Sequence, residues 1–281
     1  LPPIEIPLGA IRFNSDSQKL EYWNGSVWMQ VKTFSPNLDG GARAIIGGGA
    51  GPSGLPDLVQ YFNMASSGNG LEWGDLPERQ YLTAGTSSRT RGVFMGGYKN
   101  SPSFTYTNTI KANATDFGDL SGSCTNSSNI NNPVRGIIQT NEAGTPNRTQ
   151  FVTIPTTGNA ETFGELEKQR LDGAGMSNTV RGIFIGGSPL PVPHMEYVTI
   201  STTGNGTRFG DLTIDTFREG GHASPVRGVV SGGMLPASPY ATLDTLQTVN
   251  FSTEGDTVDF GDLSKGRYEH ASISNAHGGL G

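Results

Sequence analysis

The chain has 281 residues, a formal net charge of −6, 34% apolar and 16% charged residues, 41 glycines and 17 prolines. It is long enough to bury a sizeable core, and with no lysine- or arginine-rich block it lacks the phosphate-neutralising surface of a nucleic-acid binder. No run of 18 apolar residues suggests a helical membrane span, and the single cysteine, Cys124, excludes an internal disulfide framework and a cysteine-built metal site.

Apolar and charged shares lie below the usual globular values of about 45–50% and about 25%. The glycines nevertheless fall at fixed places with Val, Ile, Phe and Thr between them, which points to a turn-rich β protein rather than disorder. The chain begins Leu1-Pro2-Pro3 without methionine, as a piece of a longer product would.

Residues 1–38 form a first region. Ala10 to Asn14 alternates apolar and polar residues as a half-buried strand does. After a polar turn at Ser15-Asp16-Ser17, a second strand runs from Leu20 to Trp23. Asn24-Gly25 predicts a two-residue hairpin with both turn residues at positive φ, and Val27 to Val31 is the return strand. A three-stranded meander of this size is too small to be stable alone and must pack on the repeat region, on other chain, or on copies of itself. Residues around Ser35-Pro36-Asn37 read as a linker.

Residues 39–281 are governed by a repeat. Its clearest copy is Arg181-Gly182-Ile183-Phe184-Ile185-Gly186-Gly187. Related runs open at Arg43, Arg91, Arg135 and Arg227, so the arginines are 48, 44, 46 and 46 residues apart. A second marker holds the same phase: Trp73-Gly-Asp-Leu76, Phe117-Gly-Asp-Leu120, Phe163-Gly-Glu-Leu166, Phe209-Gly-Asp-Leu212 and Phe260-Gly-Asp-Leu263. A third marker precedes it, in Gly68-Asn69-Gly70, Gly158-Asn159-Ala160 and Gly204-Asn205-Gly206. In the clearest unit the arginine strand is followed by a loop from Ser188 to Pro193, a strand from Glu196 to Ser201, and a short strand ending at Phe209 to Leu212. A fourth segment, Phe217 to Ala223, leads to the next arginine.

Four short strands per unit of about 45 residues predict a β-propeller of five four-stranded blades, with a β-solenoid as the alternative. The tail, Ser274 to Leu280, stands where a sixth arginine strand would begin and could close the ring. A sixth blade completed by the N-terminal meander is the other possibility.

Two readings of the arginines compete. They could form a positive collar that binds an anion, or each could pair with the acid of its Gly-Asp-Leu element: Asp75, Asp119, Glu165, Asp211 and Asp262. One acid per arginine favours the second reading. The element's aromatics are expected in the core between blades, and the paired glycines at positive φ or at close backbone approaches.

No catalytic, cofactor-binding or metal-ligating set emerges, and the chain is not expected to be an enzyme. Gly49 to Gly54 spells a G-x-G-x-x-G motif, but Leu55-Pro56-Asp57 follows where the dinucleotide fingerprint needs a helix. His194, His222, His270 and His277 occur singly, without metal-ligand spacing, and there is no nucleophile elbow. Among acids outside the repeat phase, Glu72, Glu142, Asp172, Glu196 and Asp244, context singles out none as half of a glycosidase pair. Asn-x-Ser/Thr triplets begin at Asn24, Asn113, Asn126, Asn147, Asn205 and Asn250, and the abundance of these residues in turns accounts for them.

The repeat Arg-Gly-(Ile/Val)-Phe-x-Gly-Gly … Tyr-Val-Thr-Ile-x-Thr-Thr-Gly-Asn … Phe-Gly-Asp-Leu resembles kelch-like propeller repeats in virion structural proteins of tailed bacteriophages, notably phages of marine cyanobacteria. The likeness covers residues 40–281. The meander from Gly9 to Trp28 is similar to a short module of phage tail fibres and other appendages. Gln139-Thr140-Asn141 replaces the Gly-Gly closure in the third repeat, and the second is short around Asn108 to Lys111, so those blades are expected to be distorted or to carry variable surface.

The resemblance implies a virion location on the exterior of tail or capsid, other virion proteins as partners, a homo-oligomer, and loops for assembly or host-surface recognition. It supplies no catalytic residues. The alternative is a lectin-like or carbohydrate-active propeller, with Tyr98, Phe104, Tyr106 and Tyr240 stacking on sugar rings. Loops 98–107, 140–149, 188–195 and 234–244 break the repeat and are where recognition would reside.

Overall fold

The structure, a computed structural model, describes residues 6–14, 19–30, 43–48, 57–63, 68–79, 84–88, 90–97, 103–108, 112–122, 124, 126–140, 147–188, 193–236 and 240–270. Among these are 22 β-strands and no helix. The chain divides into two compact units, Leu1–Asn37 and Leu38–Gly281.

The first unit is an antiparallel meander of β1 (Ile11–Asn14), β2 (Lys19–Trp23) and β3 (Trp28–Gln30). Its hairpin differs from the expected two-residue turn. Trp23 pairs with Trp28, leaving four residues in the loop, and Gly25 alone has positive φ, at 95°. The Asn24 side chain explains this: its Oδ1 accepts the Ser26 and Val27 amides at 2.9 and 2.8 Å, and this Asx cap holds a wider loop. On one face Glu21 is 5% exposed, bonded by Arg12 Nε at 2.9 Å and Asn14 Nδ2 at 3.0 Å. On the other, cross-strand neighbours Ile11, Phe13, Leu20, Tyr22 and Met29 are all exposed.

The second unit holds five antiparallel sheets in chain order. Sheet one is β4 (Arg43–Gly47), β5 (Leu58–Asn63) and β6 (Leu71–Asp75). Sheet two is β7 (Ala84–Ser87), β8 (Arg91–Met95), β9 (Ser103–Asn108) and β10 (Thr115–Asp119). Sheet three is β11 (Asn129–Asn131), β12 (Arg135–Gln139), β13 (Arg148–Thr153) and β14 (Glu161–Glu165). Sheet four is β15 (Ala174–Ser177), β16 (Arg181–Ile185), β17 (His194–Thr199) and β18 (Thr207–Asp211). Sheet five is β19 (Gly220–Ala223), β20 (Arg227–Ser231), β21 (Thr245–Asn250) and β22 (Val258–Asp262).

The four strands of a sheet are out of phase with the expected unit. The segment before Arg91, Arg135, Arg181 and Arg227 pairs with that arginine's strand, not with the strands preceding it. The cause is a tight hairpin. Asn132 Oδ1 accepts the amides of Val134 and Arg135, Asn178 Oδ1 those of Val180 and Arg181, and Ser224 Oγ that of Arg227. Asn/Ser-x-x-Arg is therefore a side-chain-closed turn, and it folds the short first strand back onto the arginine strand. The third sheet is complete despite its altered closure: Gln139 and Thr140 are fully buried, and Gln139 N–H donates to Ser128 O at 3.1 Å. The second sheet also keeps four strands. The expected distortion of these two units is absent from their described residues, and the tail from Ser274 lies outside them.

Each core lies between consecutive sheets. Trp73, Leu76 and Ala114 join sheets one and two, and Phe117, Ile138 and Val152 join two and three. Phe163, Ile137 and Phe184 join three and four, and Phe209, Ile183 and Val249 join four and five. Period-two alternation produces this arrangement, because Ile183 and Ile185 point into one interface and Phe184 into the other. In sheet four the arginine strand is apolar after Arg181 because both of its faces are buried.

Backbone joins the same sheets at a seam. Where Gly118, Gly164 and Gly210 lie, the outer strand meets the main chain at Gly158, Gly204 and Gly255 of the next sheet, leaving no room for a Cβ. The Gly158, Gly204 and Gly255 amides donate to Phe117, Phe163 and Phe209 carbonyls at 2.8, 2.9 and 2.8 Å. Ala160, Gly206 and Thr257 N–H donate to Asp119, Glu165 and Asp211 carbonyls at 2.9, 2.8 and 2.9 Å. In return, the Asp119, Glu165 and Asp211 amides donate to the side-chain oxygens of Asn159, Asn205 and Asp256 at 3.0, 3.1 and 2.9 Å. Replacing Gly164 by Ala should cost about 1–3 kcal/mol by overpacking the seam, read as a lowered unfolding midpoint in urea. Gly85→Ala, where a Cβ meets nothing within 4 Å, should be close to neutral.

Candidate functional site

Arg91, Arg135 and Arg181 reach main-chain carbonyls of a neighbouring sheet, and among the described residues no ion pair links Arg135 or Arg181 to a Gly-Asp-Leu acid. Arg91 Nη1 donates to Ile154 O at 2.8 Å, Arg135 Nη1 to Ile200 O and Ser201 O at 3.2 and 2.9 Å, and Arg181 Nη1 to Phe251 O at 2.9 Å. Each acceptor follows the third strand of the next sheet. The planar guanidinium also lies over an aromatic ring of its own sheet: Phe151 and Tyr197 are 4.6 Å from Arg135 and Arg181. Strand-end carbonyls therefore take the Nη1 donors of Arg91, Arg135 and Arg181. The acids contribute their main chain to the seam. Only Asp211 has ion-pair partners among the described residues, His194 at 2.8 Å and Arg208 at 2.5 Å. Its carboxyl is held below the ordinary carboxylate range by the His194 hydrogen bond first and by Arg208 second. The Arg43 side chain lies outside the description.

The paired glycines do adopt positive φ: 65° and 125° at Gly96 and Gly97, 56° and 96° at Gly186 and Gly187, and 58° and 97° at Gly232 and Gly233. Gly97 and Gly233 amides donate to Cys124 O and Arg267 O of the following segment at 2.7 and 2.8 Å. These contacts bring together the loops that precede the first strand of each sheet. There, Asn126, Asp172, Arg218 and Glu269 occupy one repeat position, and all are left-handed, with φ of 51°, 54°, 58° and 50°. Non-glycine residues seldom adopt this conformation. Here it aims each amide at the loop before it: Asp172 N–H donates to Asn126 O, Arg218 to Asp172 O and Glu269 to Arg218 O, at 3.0, 2.7 and 2.9 Å.

A cavity of about 200 Å³ opens among these loops, lined by Asn126, Ser127, Asp172, Arg218, Glu219 and Glu269. Arg218 Nη1 lies 2.7 Å from Glu269 Oε1, and its Nε lies 3.7 Å from Asp172 Oδ2. Glu219 is 7% exposed; its Oε1 accepts the Ala174 amide at 3.3 Å, and its Oε2 has no hydrogen-bond partner. Burial pushes this carboxyl up to about 8, against the lowering effect of two backbone amides and of Arg170.

Arg170 lies beside it and is fully buried. Its Nη2 donates to Glu196 Oε1 at 2.7 Å and its Nη1 to Gly186 O at 3.1 Å. Burial lowers the Arg170 pKa, and Glu196 opposes that shift. Glu196 also accepts the Glu167 and Lys168 amides at 2.6 and 3.3 Å. Gln150 and Gln247 do the same work in sheets three and five, accepting the Ser121 and Ile214 amides, each at 3.1 Å. Glu196 thus occupies a repeat position, contrary to its placement outside the repeat phase, and so does Asp172. Arg170, Arg218, Glu219 and Glu269 were not singled out from sequence. Aligning the units on their Asn/Ser-x-x-Arg turns would have exposed them, as ionisable residues where sister units carry Cys124, Asn126 or Ser127.

The other sequence candidates do not assemble. Glu72 is exposed on β6, and Glu142 and His277 lie outside the described residues. His222 and His270 each place Nε2 2.9 Å from Ser231 Oγ, but Ser231 is 3% exposed, which keeps substrate from its hydroxyl. Among the described residues no three His, Cys, Asp or Glu side chains converge as metal ligands. Burial raises the Cys124 thiol pKa to about 12, which makes it a poor nucleophile. Of the aromatics considered for sugar stacking, Tyr240 alone has a described side chain; it is 56% exposed and packs edge-on to Phe217 at 6.2 Å. Of the loops expected to vary, residues 103–107, Arg148-Thr149 and His194-Met195 are strand, the segments flanking residues 237–239 are described, and most of the remainder lies outside the described residues.

No family model matches the chain, and no curated protein shows significant similarity to it.

Methionine at Arg170 should strand the Glu196 carboxylate and cost roughly 3–5 kcal/mol. The double variant Arg170→Met, Glu196→Gln, which restores the glutamine of the sister sheets, should recover most of that loss in urea unfolding.

Proposed function

We propose that the five sheets are blades of a β-propeller, and that the chain is a structural protein of a tailed-phage particle, placed on a tail fibre or another external appendage. The observation that carries the assembly reading is the bare apolar face of the N-terminal meander. Ile11 and Phe13 are 66% and 65% exposed, although the opposite face is closed by the Arg12–Glu21 pair and the Trp23–Trp28 contact. A three-stranded sheet with one apolar face in water gains stability when that face is covered, and attachment to identical or neighbouring subunits would cover it. The resemblance of this meander to appendage modules, and of the repeat to virion propellers, supports the same placement.

The propeller reading rests on face-to-face sheets whose first strands touch in series, β7 with β11, β11 with β15 and β15 with β19. It also explains a vacancy at the outer edge of sheet five. Phe260 is 49% exposed, whereas Trp73, Phe117, Phe163 and Phe209 are 2–3% exposed, and a Cβ on Gly261 meets nothing within 4 Å. Among the described residues, no amide reaches the Phe260 or Asp262 carbonyl, and no strand-end carbonyl reaches Arg227. Sheet one carries the matching turn, Gly68-Asn69-Gly70. Docking that turn on Phe260-Gly261-Asp262 would complete a fifth seam and close the ring.

Cryo-electron microscopy of the assembled particle tests the function directly. The expected result is symmetric copies of the propeller on the particle exterior, with the meander at a subunit contact. Location inside the capsid, or absence from the particle, would overturn it.

A further inference from the structure

The last described residues, Arg267 to His270, are strapped onto sheet five. Gly233 N–H donates to Arg267 O at 2.8 Å, Arg267 N–H to Leu243 O at 3.1 Å and Glu269 N–H to Arg218 O at 2.9 Å. Gly232 has no Cβ, and one there would stand 2.5 Å from Arg267 O and 3.3 Å from His270 Cε1. The side-chain tie from this strap to β20 is His270 Nε2 on Ser231 Oγ, at 2.9 Å.

Ser231 holds a second imidazole, because His222 Nε2 on β19 also lies 2.9 Å from its Oγ. A hydroxyl has one proton to give and lone pairs with which to accept. With both rings neutral it therefore donates to one Nε2 and accepts from the other; Gly220 O, at 3.4 Å, is the more distant acceptor. The other nitrogen of His270 decides the direction. His270 Nδ1 is buried and has no hydrogen-bond partner, and an unpaired lone pair is tolerated there more readily than an unpaired N–H. The network thus assigns His270 as the Nε2–H tautomer, donating to Ser231, while Ser231 donates to His222.

These three residues also break the repeat. Sheet four has Met176, Ile185 and Glu219 where sheet five has His222, Ser231 and His270, so packing alone does not call for two imidazoles.

We propose that the His222–Ser231–His270 bridge is an acid-released latch, which holds the strap on β20 at neutral pH and lets it go when His270 is protonated. The incoming proton must sit on Nδ1, where no acceptor receives it. The charged groups facing His270 are His222 from β19 and Arg267 from the strap itself, and both oppose a further positive charge. The acids nearby do not compensate. Glu269 is paired with Arg218 at 2.7 Å, and Glu219, pushed up to about 8 by burial, is largely protonated at pH 7.

Burial first, then His222 and Arg267, hold the latched His270 below the ordinary histidine value. A released His270 takes up its proton near that ordinary value, about 6.5. The latched state therefore binds fewer protons, so the latch is at full strength above about pH 6.5 and weakens as pH falls through the lowered value. Release carries Glu269 away from the loop cavity that it lines. The latch does not depend on the particle assignment.

The test is amide hydrogen exchange of the full chain at pH 7.5 and pH 5.5, corrected for the intrinsic pH dependence of exchange. The Gly233 and Glu269 amides report the strap, and the Gly97 and Arg218 amides report the equivalent contacts of sister loops. The expected result is a loss of protection of about tenfold at Gly233 and Glu269, the equivalent of one pKa unit, with Gly97 and Arg218 unchanged. His270→Gln, whose amide can still donate to Ser231 but does not titrate, should keep the strap protected at both pH values. A direct nuclear magnetic resonance titration of the His270 ring in the unaltered chain should give a midpoint below 6.5, followed by the Gly233 and Glu269 amide shifts. The proposal is overturned by a His270 midpoint at or above 6.5, by equal loss of protection in the sister loops, or by the same loss in His270→Gln.

Discussion

The second unit depends on an approach between backbones that only glycine permits. At Gly118, Gly164 and Gly210 the outer strand of one sheet lies against the Gly-Asn or Gly-Asp turn of the next; turn amides donate to outer-strand carbonyls, and outer-strand amides donate back to the Asn or Asp side chain of the turn. Buried backbone groups must be paired, so this seam fixes the spacing and angle of two sheets more tightly than side-chain packing alone. The apolar interfaces then fill the space that the seam defines. This division accounts for a chain with modest apolar content that still builds four successive cores.

The same constraint explains the arginine strand residue by residue. Arg181 reaches the carbonyl end of the next sheet, and Gly182 admits the Ile130 side chain of the previous one. Ile183 and Ile185 fill the following core while Phe184 fills the preceding core, and Gly186-Gly187 turns in left-handed conformation onto the next loop. Each position of the motif therefore addresses a neighbouring sheet. The motif builds the scaffold, which directs attention to the places where units differ: the loop cavity around Glu219 and the bare face of the meander.

The strands and their period were legible because alternation and turn residues are local properties. The sheet phase was misread because Phe217 to Ala223 follows its own unit in sequence, and the deciding contact is a hairpin closed by Ser224. A hydrogen-bonding serine or asparagine three residues before Arg91, Arg135, Arg181 and Arg227 was the available signal. The arginine partners were misread for another reason: carboxylates are visible in a sequence, whereas free strand-end carbonyls such as Ile154 O arise only from the fold. Glu219 was invisible without a loop alignment, since its importance lies in occupying a place that is Ser127 and Gly173 elsewhere. The Asn24-Gly25 turn widened because the Asn24 side chain outcompeted the tight backbone turn for two amides.

The central proposal is that the seam joining sheets two to five also closes a ring. Amide hydrogen exchange at Gly68 and Gly70 tests it most directly, with Gly158, Gly204 and Gly255 as internal references for a formed seam. A closed fifth seam predicts that the Gly68 and Gly70 amides are protected on the order of 10²-fold or more, comparably to the references. Exchange at the rate of an open loop, with the three references still protected, would contradict it.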